Sequence, residues 1–144
     1  MNGKEISSCL ICDKHDGVGY HPPGGFIFRG AYFSICHAPL EAGPAGTLFI
    51  ESNRHFLDYS EMTPAELSAF GPLIGKVVKY LKEATQAERI YQVTMIDGIP
   101  HFHTWLVPRR SSDTTRGIRF LSQDLTSTKE EAQAIVRVMA AKPY

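Results

Sequence analysis

Three short stretches hold residues able to do chemistry: "CLIC" at 9–12, "RH" at 54–55 and "HFHTW" at 101–105. Cys9 and Cys12 form a Cys-x-x-Cys pair, a spacing that lets two thiolates reach one ion from a tight turn. The same spacing also suits a redox pair, although a redox pair needs a βα unit with a helix beginning at the motif, which the sequence does not suggest. The pair can equally be two small buried residues. A structural metal would need two more nitrogen or sulfur ligands, to be drawn from His15, His21, His37, His55, His101 and His103. On a strand, side chains alternate faces and residues two apart share one. His101, His103 and Trp105 therefore point one way, and Phe102, Thr104 and Leu106 the other. This arrangement reads as two metal ligands, as one ligand beside one catalytic group, or as a satisfied polar patch.

The elements that position these residues follow from patterning. "FIFRGAYFSICHAP" (26–39) is dense in aromatic and β-branched residues and predicts one or two strands, and Thr47–Ile50 predicts a third. Thr63-Pro64-Ala65-Glu66 predicts a helix start, with Thr63 as N-cap, Pro64 in the first turn and Glu66 closing a capping box. Apolar residues then recur with helical period at Leu67, Phe70, Leu73 or Ile74, Val77 or Val78, and Leu81, giving a helix to about Thr85. Gly71, Pro72 and Gly75 inside it mark a kink or close packing. "RIYQVTMI" (89–96) and "HFHTWLVP" (101–108) predict two strands joined by a turn. A second helix spans about 126–141, capped by Ser127 with Glu130 three residues on. The order predicts an α+β fold, an antiparallel sheet with helices packed on it.

The 144 residues fit one domain with a sizeable core. Fifteen basic residues balance fifteen acidic ones, so net charge makes no case for a nucleic-acid polymer or a membrane surface as partner. The N-terminus lacks the apolar run of a signal peptide, and no window approaches a membrane span. Three cysteines do not make a disulfide framework, and a reducing cytoplasm is the expected setting.

"HFHTWLVPR" resembles the signature of the histidine triad (HIT) family of nucleotide hydrolases and transferases, His-φ-His-φ-His-φ-φ with φ apolar. "AGTLFIESNRHFLDYSEMTPAELSAFGPLIGKV" is similar to that family's segment joining a strand, a basic-His pair and the first helix. The N-terminal Cys-x-x-Cys is shared with its zinc-containing branch. The likeness covers about residues 9–110 of a single domain spanning 1–144. It implies a HIT-like fold and a homodimer. In zinc-containing relatives and in hexose-1-phosphate uridylyltransferases the matching positions bind zinc, which implies Cys9, Cys12, His55 and His101 as ligands. Such a Cys₂His₂ set is closed, so the zinc would be structural. The resemblance further implies that His103 attacks the α-phosphorus of a small-molecule nucleotide and forms a nucleotidyl-histidine. The other ring nitrogen would donate to a backbone carbonyl near His101.

Two departures bear on activity. Trp105 stands where the family has its third histidine. Its indole is a donor that carries no transferable proton, so it can contact a phosphoryl oxygen but cannot act as general acid. The Asn-containing, Gly-rich stretch that holds phosphates in many members is missing from "TMIDGIPHFH". Phosphate contacts are sought instead at Thr94, the Gly98 backbone, Arg109 and Arg110, and the base among Phe26, Phe28 and Phe33. His37 reads as a satisfied strand histidine, Cys36 as a small buried residue, and His15 and His21 as solvated loop residues. The expectation is a nucleotide phosphoanhydride or phosphoramidate hydrolase or a nucleotidyl transferase. A nucleotide-binding or sensing protein with weak or no turnover is the first alternative. A metalloenzyme in which His55, His101 and His103 share one metal is the second.

Overall fold

The computed structural model describes residues 8–144; the first seven residues, on which part of the signal-peptide reading rests, lie outside the described residues. In chain order the elements are α1 (Leu10–His15), β1 (Phe26–Arg29), β2 (Phe33–His37), β3 (Leu48–Ser52), α2 (Pro64–Thr85), β4 (Ala87–Val93), β5 (His103–Arg110), α3 (Ile118–Leu121) and α4 (Lys129–Ala140). The strands form one antiparallel sheet in the order β1-β2-β3-β5-β4. The α+β class and the antiparallel sheet with packed helices are as predicted. No helix among the described residues is long and apolar enough to cross a membrane.

Alternation along the strands sends two different sets of side chains to the two faces. Ile35, Leu48, Ile50, Phe102 and Leu106 join Phe70, Val77 and Leu81 of α2 and Ile135, Val136 and Met139 of α4 in the main core. Phe102 is fully buried among the rings of Phe33, Phe56, Tyr59 and Phe70. Burying such a side chain contributes about 1.5–3 kcal/mol. The opposite face carries a smaller apolar cluster of Cys36, Ala38 and Phe49, with Phe26 and Trp105 packed against it. His103 lies on this second face, opposite Glu51 in the β3–β5 register, next to the Phe49–Trp105 pair.

Helix α2 begins as its sequence predicts, with reciprocal Thr63–Glu66 capping and Pro64 in the first turn. It runs unbroken through Pro72, and a Cβ on Gly71 or Gly75 would touch nothing within 4 Å, so neither a break nor a close approach accounts for these residues. Leu67 is half exposed rather than core-facing. The buried place in that first turn goes to Glu66, whose carboxylate accepts from Arg54 and from the Thr63 amide.

Two other expectations are corrected. Helix α4 is capped by Thr128 with Glu131, not by Ser127 with Glu130. Ser127 is held in the preceding loop, its amide donating to the Leu40 carbonyl and its hydroxyl to that of Thr128. The Cys-x-x-Cys segment is not a bare turn: a helix does begin at the motif, with Cys9 as N-cap and its Sγ 3.3 Å from the Cys12 amide. Strands β4 and β5 are also displaced, each by about two residues, so His101 and Phe102 precede β5 instead of opening it. Their amides pair with Ile99 and Phe56 carbonyls outside the ladder.

Candidate metal centre and active site

Helix α1 brings Cys9 and Cys12 to the loop before β5 and to the turn after β3. The ligand atoms of Cys9, Cys12, His55 and His101 all lie within 4.8 Å of one another. Individual separations are 3.3 Å for Cys9 Sγ to His101 Nδ1, 3.5 Å for Cys12 Sγ to each histidine Nδ1, and 3.1 Å between the two Nδ1 atoms. A tetrahedron with metal–ligand bonds of about 2.0–2.3 Å has edges of about 3.3–3.8 Å. The four side chains therefore fit a single metal ion. Without metal, burial and the neighbouring Cys9 push the Cys12 thiol up to about 11. Burial lowers His101, which favours the neutral ring that a metal requires.

The backbone assigns different tautomers to the two signature histidines. His101 Nε2 lies 2.7 Å from the Ser52 carbonyl oxygen. His103 Nδ1 lies 2.7 Å from the His101 carbonyl oxygen. A carbonyl can only accept, so each of these nitrogens carries the proton, and in the neutral ring the other nitrogen keeps its lone pair. For His101 the lone pair is on Nδ1, inside the metal group. For His103 it is on Nε2, which has no hydrogen-bond partner among the described residues. His103 is almost fully buried with its ring edge-on to Phe49 at 5.8 Å. It is not part of the four-residue metal group.

Beside this pair sits a buried charged cluster that the sequence reading missed. Glu51, wholly buried on β3, takes a salt bridge from Lys14 and a 2.7 Å hydrogen bond with His15 Nε2. Lys14 Nζ also reaches Cys36 Sγ at 3.4 Å and lies 5.4 Å from the centre of the Phe49 ring. His15 is thus an anchored residue ending α1, not a solvated one. Burial works to raise Glu51, but the His15 hydrogen bond and the Lys14 charge outweigh it and hold the carboxyl below its ordinary range. Helix α1 is tied down twice, at its start through the cysteines and at its end through Glu51. The signal available in the sequence was a lone carboxylate inside the apolar run "TLFIES".

On the other side of His103 the same face opens into a cavity of about 780 Å³ between β4, β5 and the segment 117–125. Trp105 lines it, edge-on to Phe49 at 4.5 Å. Thr94 lines it too, with its hydroxyl donated to Thr104. Arg109 is buried, its Nε donating to Tyr91 Oη and its Nη1 paired with Glu88. Arg110 Nη2 donates to the Ala45 carbonyl. Of the three phenylalanines considered for a base, Phe26 lies on the His103 face beside His15, while Phe33 belongs to the main core and Phe28 packs against it. His37 lies on the core face, its Nδ1 bonded to the Ala38 carbonyl and its Nε2 accepting from the Gly46 amide. It is a satisfied strand histidine.

No protein-family model and no curated protein matches the chain. Solved structures do match it. A hypothetical histidine triad nucleotide-binding protein from Sulfolobus tokodaii superimposes with a TM-score of 0.72 at 15% identity, over 92% of this chain and 89% of that one. A HIT-like protein from Bartonella henselae, described as involved in cell-cycle regulation, gives 0.72 at 10% identity over 96% and 98%. A zinc-bound histidine triad family protein from Mycobacterium smegmatis gives 0.71 at 18% identity over 93% and 94%. At these identities the likeness concerns the fold: this chain has the fold of histidine triad proteins, with a Cys₂His₂ group able to hold a metal.

Proposed function

We propose that this protein is a nucleotidyl hydrolase or transferase of the histidine triad type, acting through His103. The observation that carries this reading is the 2.7 Å hydrogen bond from His103 Nδ1 to the His101 carbonyl, which leaves the lone pair on Nε2. In the reaction, Nε2 attacks the α-phosphorus of a nucleotide, an N–P bond forms, and the bond to the leaving group breaks with its electron pair. Water or another acceptor then displaces His103 and regenerates the lone pair, so one hard displacement becomes two easier ones.

The group Cys9, Cys12, His55 and His101 would hold zinc, the metal that suits a closed set of two thiolates and two imidazoles. Its contribution is structural, since no ligand position is left for substrate. By fixing His101 it fixes the carbonyl that orients His103. Cysteine ligands must be reduced, which fits a cytoplasmic setting. The chain acts as one domain and pairs as a homodimer; β4, an edge strand, offers unpaired backbone groups to a second copy. Trp105, Thr94 and Arg109 are the proposed substrate contacts, with Arg109 acting from beneath the cavity through Tyr91.

The second reading, a nucleotide-binding protein with little turnover, draws on Trp105, which cannot protonate a departing group. Incubation with a nucleoside phosphoramidate and with a dinucleoside polyphosphate, followed by mass-spectrometric mapping of trapped nucleotidyl-protein, separates the two. The expected result is an adduct on His103, lost in His103→Ala together with at least about a thousandfold of turnover, while zinc content is unchanged. Turnover that survives in His103→Ala sinks the nucleophile assignment. Binding without any turnover favours the sensor, and zinc lost in that variant would place His103 among the metal ligands.

A further inference from the structure

The Cys-x-x-Cys turn has two features that a purely structural metal does not need. First, its two sulfurs can reach each other as well as an ion. Cys9 and Cys12 begin α1, and the turn is closed by the Cys12 amide on Cys9 Sγ at 3.3 Å. Helix geometry sets Cα atoms three residues apart at about 5 Å, inside the span of about 4.4–6.8 Å that a disulfide bridges. Second, the group is open at one edge. Cys9 and His101 are buried, but Cys12 is half-buried and His55 is exposed. A small neutral oxidant therefore reaches Cys12 Sγ from solvent. The third cysteine is sealed: Cys36 is wholly buried, its sulfur 3.4 Å from Lys14 Nζ and 3.4 Å from Glu51 Oε1.

The same group holds the carbonyl that orients His103. The His101 ring belongs to the metal group, while its own carbonyl accepts from His103 Nδ1 at 2.7 Å. Losing the two sulfurs leaves His55 and His101, and a pair of imidazoles is half of a structural zinc set. The rest of α1 keeps its place, because Lys14 and His15 anchor the other end of the helix to Glu51. The far side of the sheet face keeps its place too. There the segment 117–125 roofs the Trp105 cavity, with the Gly117 amide on Tyr91 Oη at 2.8 Å and Phe120 packed on the Tyr91 ring. Loss of the metal is thus confined to the residues that fix His103.

We propose that Cys9 and Cys12 form a reversible thiol switch: oxidation to a disulfide releases the metal and loosens the hold on His103, and reduction restores both. The use of the switch rests on His103 acting as the nucleophile; the release of metal does not. The oxidant class is a hydroperoxide. Zinc has no redox chemistry of its own but keeps both sulfurs as thiolates, the form that attacks peroxide. Cys12 Sγ attacks a peroxide oxygen, an S–O bond forms, and the O–O bond breaks to release hydroxide, which takes a proton from solvent. Cys9 Sγ then attacks Cys12 Sγ, the S–S bond forms, and the S–O bond breaks to release a second hydroxide, also protonated. The two thiolates lose two electrons and hydrogen peroxide becomes two waters. The disulfide carries no charge with which to hold a cation.

The zinc-loaded full chain is treated with hydrogen peroxide beside a chromophoric chelator too weak to strip the reduced protein. The expected result is one zinc released per Cys9–Cys12 disulfide formed, the disulfide being mapped by mass spectrometry after alkylation of the remaining thiols. A phosphine reductant with added zinc should reverse both. The yield of nucleotidyl adduct on His103 should fall by about 10–100-fold on oxidation, the usual cost of losing the groups that support a site, and recover on reduction. Trp105 is the single tryptophan of the chain, and its emission should stay at the folded value, which excludes unfolding as the cause. Cys12→His keeps a nitrogen ligand for zinc and cannot form the disulfide, so it should hold zinc through the same treatment. Cys36→Ser should respond as the native chain does.

Zinc retained through peroxide treatment overturns the proposal. So does zinc released with Cys12 carried on to sulfinic acid, a product that a phosphine does not restore. A disulfide that takes in Cys36 overturns it too. Zinc release with a shift of Trp105 emission also overturns it, since the metal would then hold the whole fold. The same treatment of His103→Ala separates the switch from the nucleophile reading: disulfide formation and zinc release should be unchanged there. A native chain that switches its zinc but never forms a His103 adduct upholds the redox site and removes only its use on His103.

Discussion

On one side of His103 the sheet face is crowded with ionisable groups: Glu51, Lys14, His15 and the four candidate metal ligands, all brought together by α1. On the other side lies an open space lined by Trp105, Val107, Val93 and Phe120 and free of charged lining residues. Both regions hang on one strand and its register. The difference teaches how the work is divided. The charged side is closed by mutual satisfaction and holds the His101 carbonyl, and through it the His103 ring, in place. The apolar side is held open by a roof pinned at Tyr91 and is left to receive something. One region fixes geometry, and the other leaves space beside it.

If the charged side is structural, breaking it should cost stability and leave the apolar side alone. Glu51→Gln strands a buried Lys14 and is expected to destabilise the protein by about 3–5 kcal/mol in denaturant unfolding. Converting Lys14 to Met in the same chain should recover most of that loss. Trp105 emission in the folded state should not move. A change in emission would mean that the two regions are coupled through Phe49, which touches both Lys14 and Trp105.

The same cluster sets a pH window. The folded Glu51 carboxyl lies below its ordinary 4.5, so its contribution is fully present above about 4.5 and is lost as pH falls through the folded value. Lys14 is opposed by burial, but Cys36 and Glu51 hold it above its ordinary 10.5. Its contribution is present below about 10.5 and is lost as pH rises through the folded value. The Glu51–Lys14 contribution to unfolding free energy should therefore hold between these limits, and Glu51→Gln should weaken the decline at the acid limb, to which Glu66, also held below its ordinary range, contributes as well.

The converse test attacks the roof. Phe120→Ala removes a buried ring from over Tyr91 and should cost about 3 kcal/mol. Zinc affinity, measured by competition with a chromophoric chelator, should be unchanged, because none of the four ligands is among the residues lining the cavity under the roof. Weakened zinc binding would show that the roof also steadies the strand at His101. The smallest effect concerns the metal group itself. With the Cys12 thiol pushed up to about 11, zinc binding at neutral pH must expel its proton. Affinity should then fall by about tenfold, or 1.4 kcal/mol, for each pH unit lowered and each proton released. A flat profile in calorimetry would remove Cys12 from the ligand set.

Much of the frame was legible. The capping box at Thr63 and the period of Phe70, Val77 and Leu81 located α2 because these are local signals, complete within a few residues. The alternation in "HFHTWL" separated Phe102 and Leu106 from Trp105 for the same reason, and the structure shows that the former face the main core. The meeting of Cys9, Cys12, His55 and His101 came from a resemblance in motif order, since nothing local brings position 9 to position 101. The cap of α4 was misplaced by one residue because Ser127 and Thr128 offer the same chemistry. The loop contact of Ser127 with Leu40 decides between them. Helix α1 was missed because its six residues are too few for a periodic signal.

By itself the sequence determined which chemical groups exist and which face of each strand or helix they occupy, because alternation and helical period are properties of the local backbone. It also determined that the residue two beyond His103 on that face donates a hydrogen bond but no proton. Tertiary structure alone decided which nitrogen of each histidine keeps its lone pair, since that depends on carbonyls of Ser52 and His101 aimed by the fold. It alone joined Lys14 and His15 to Glu51 across 36 or 37 residues. It alone closed a roof over Trp105, because a cavity is the space between segments and no segment carries its shape.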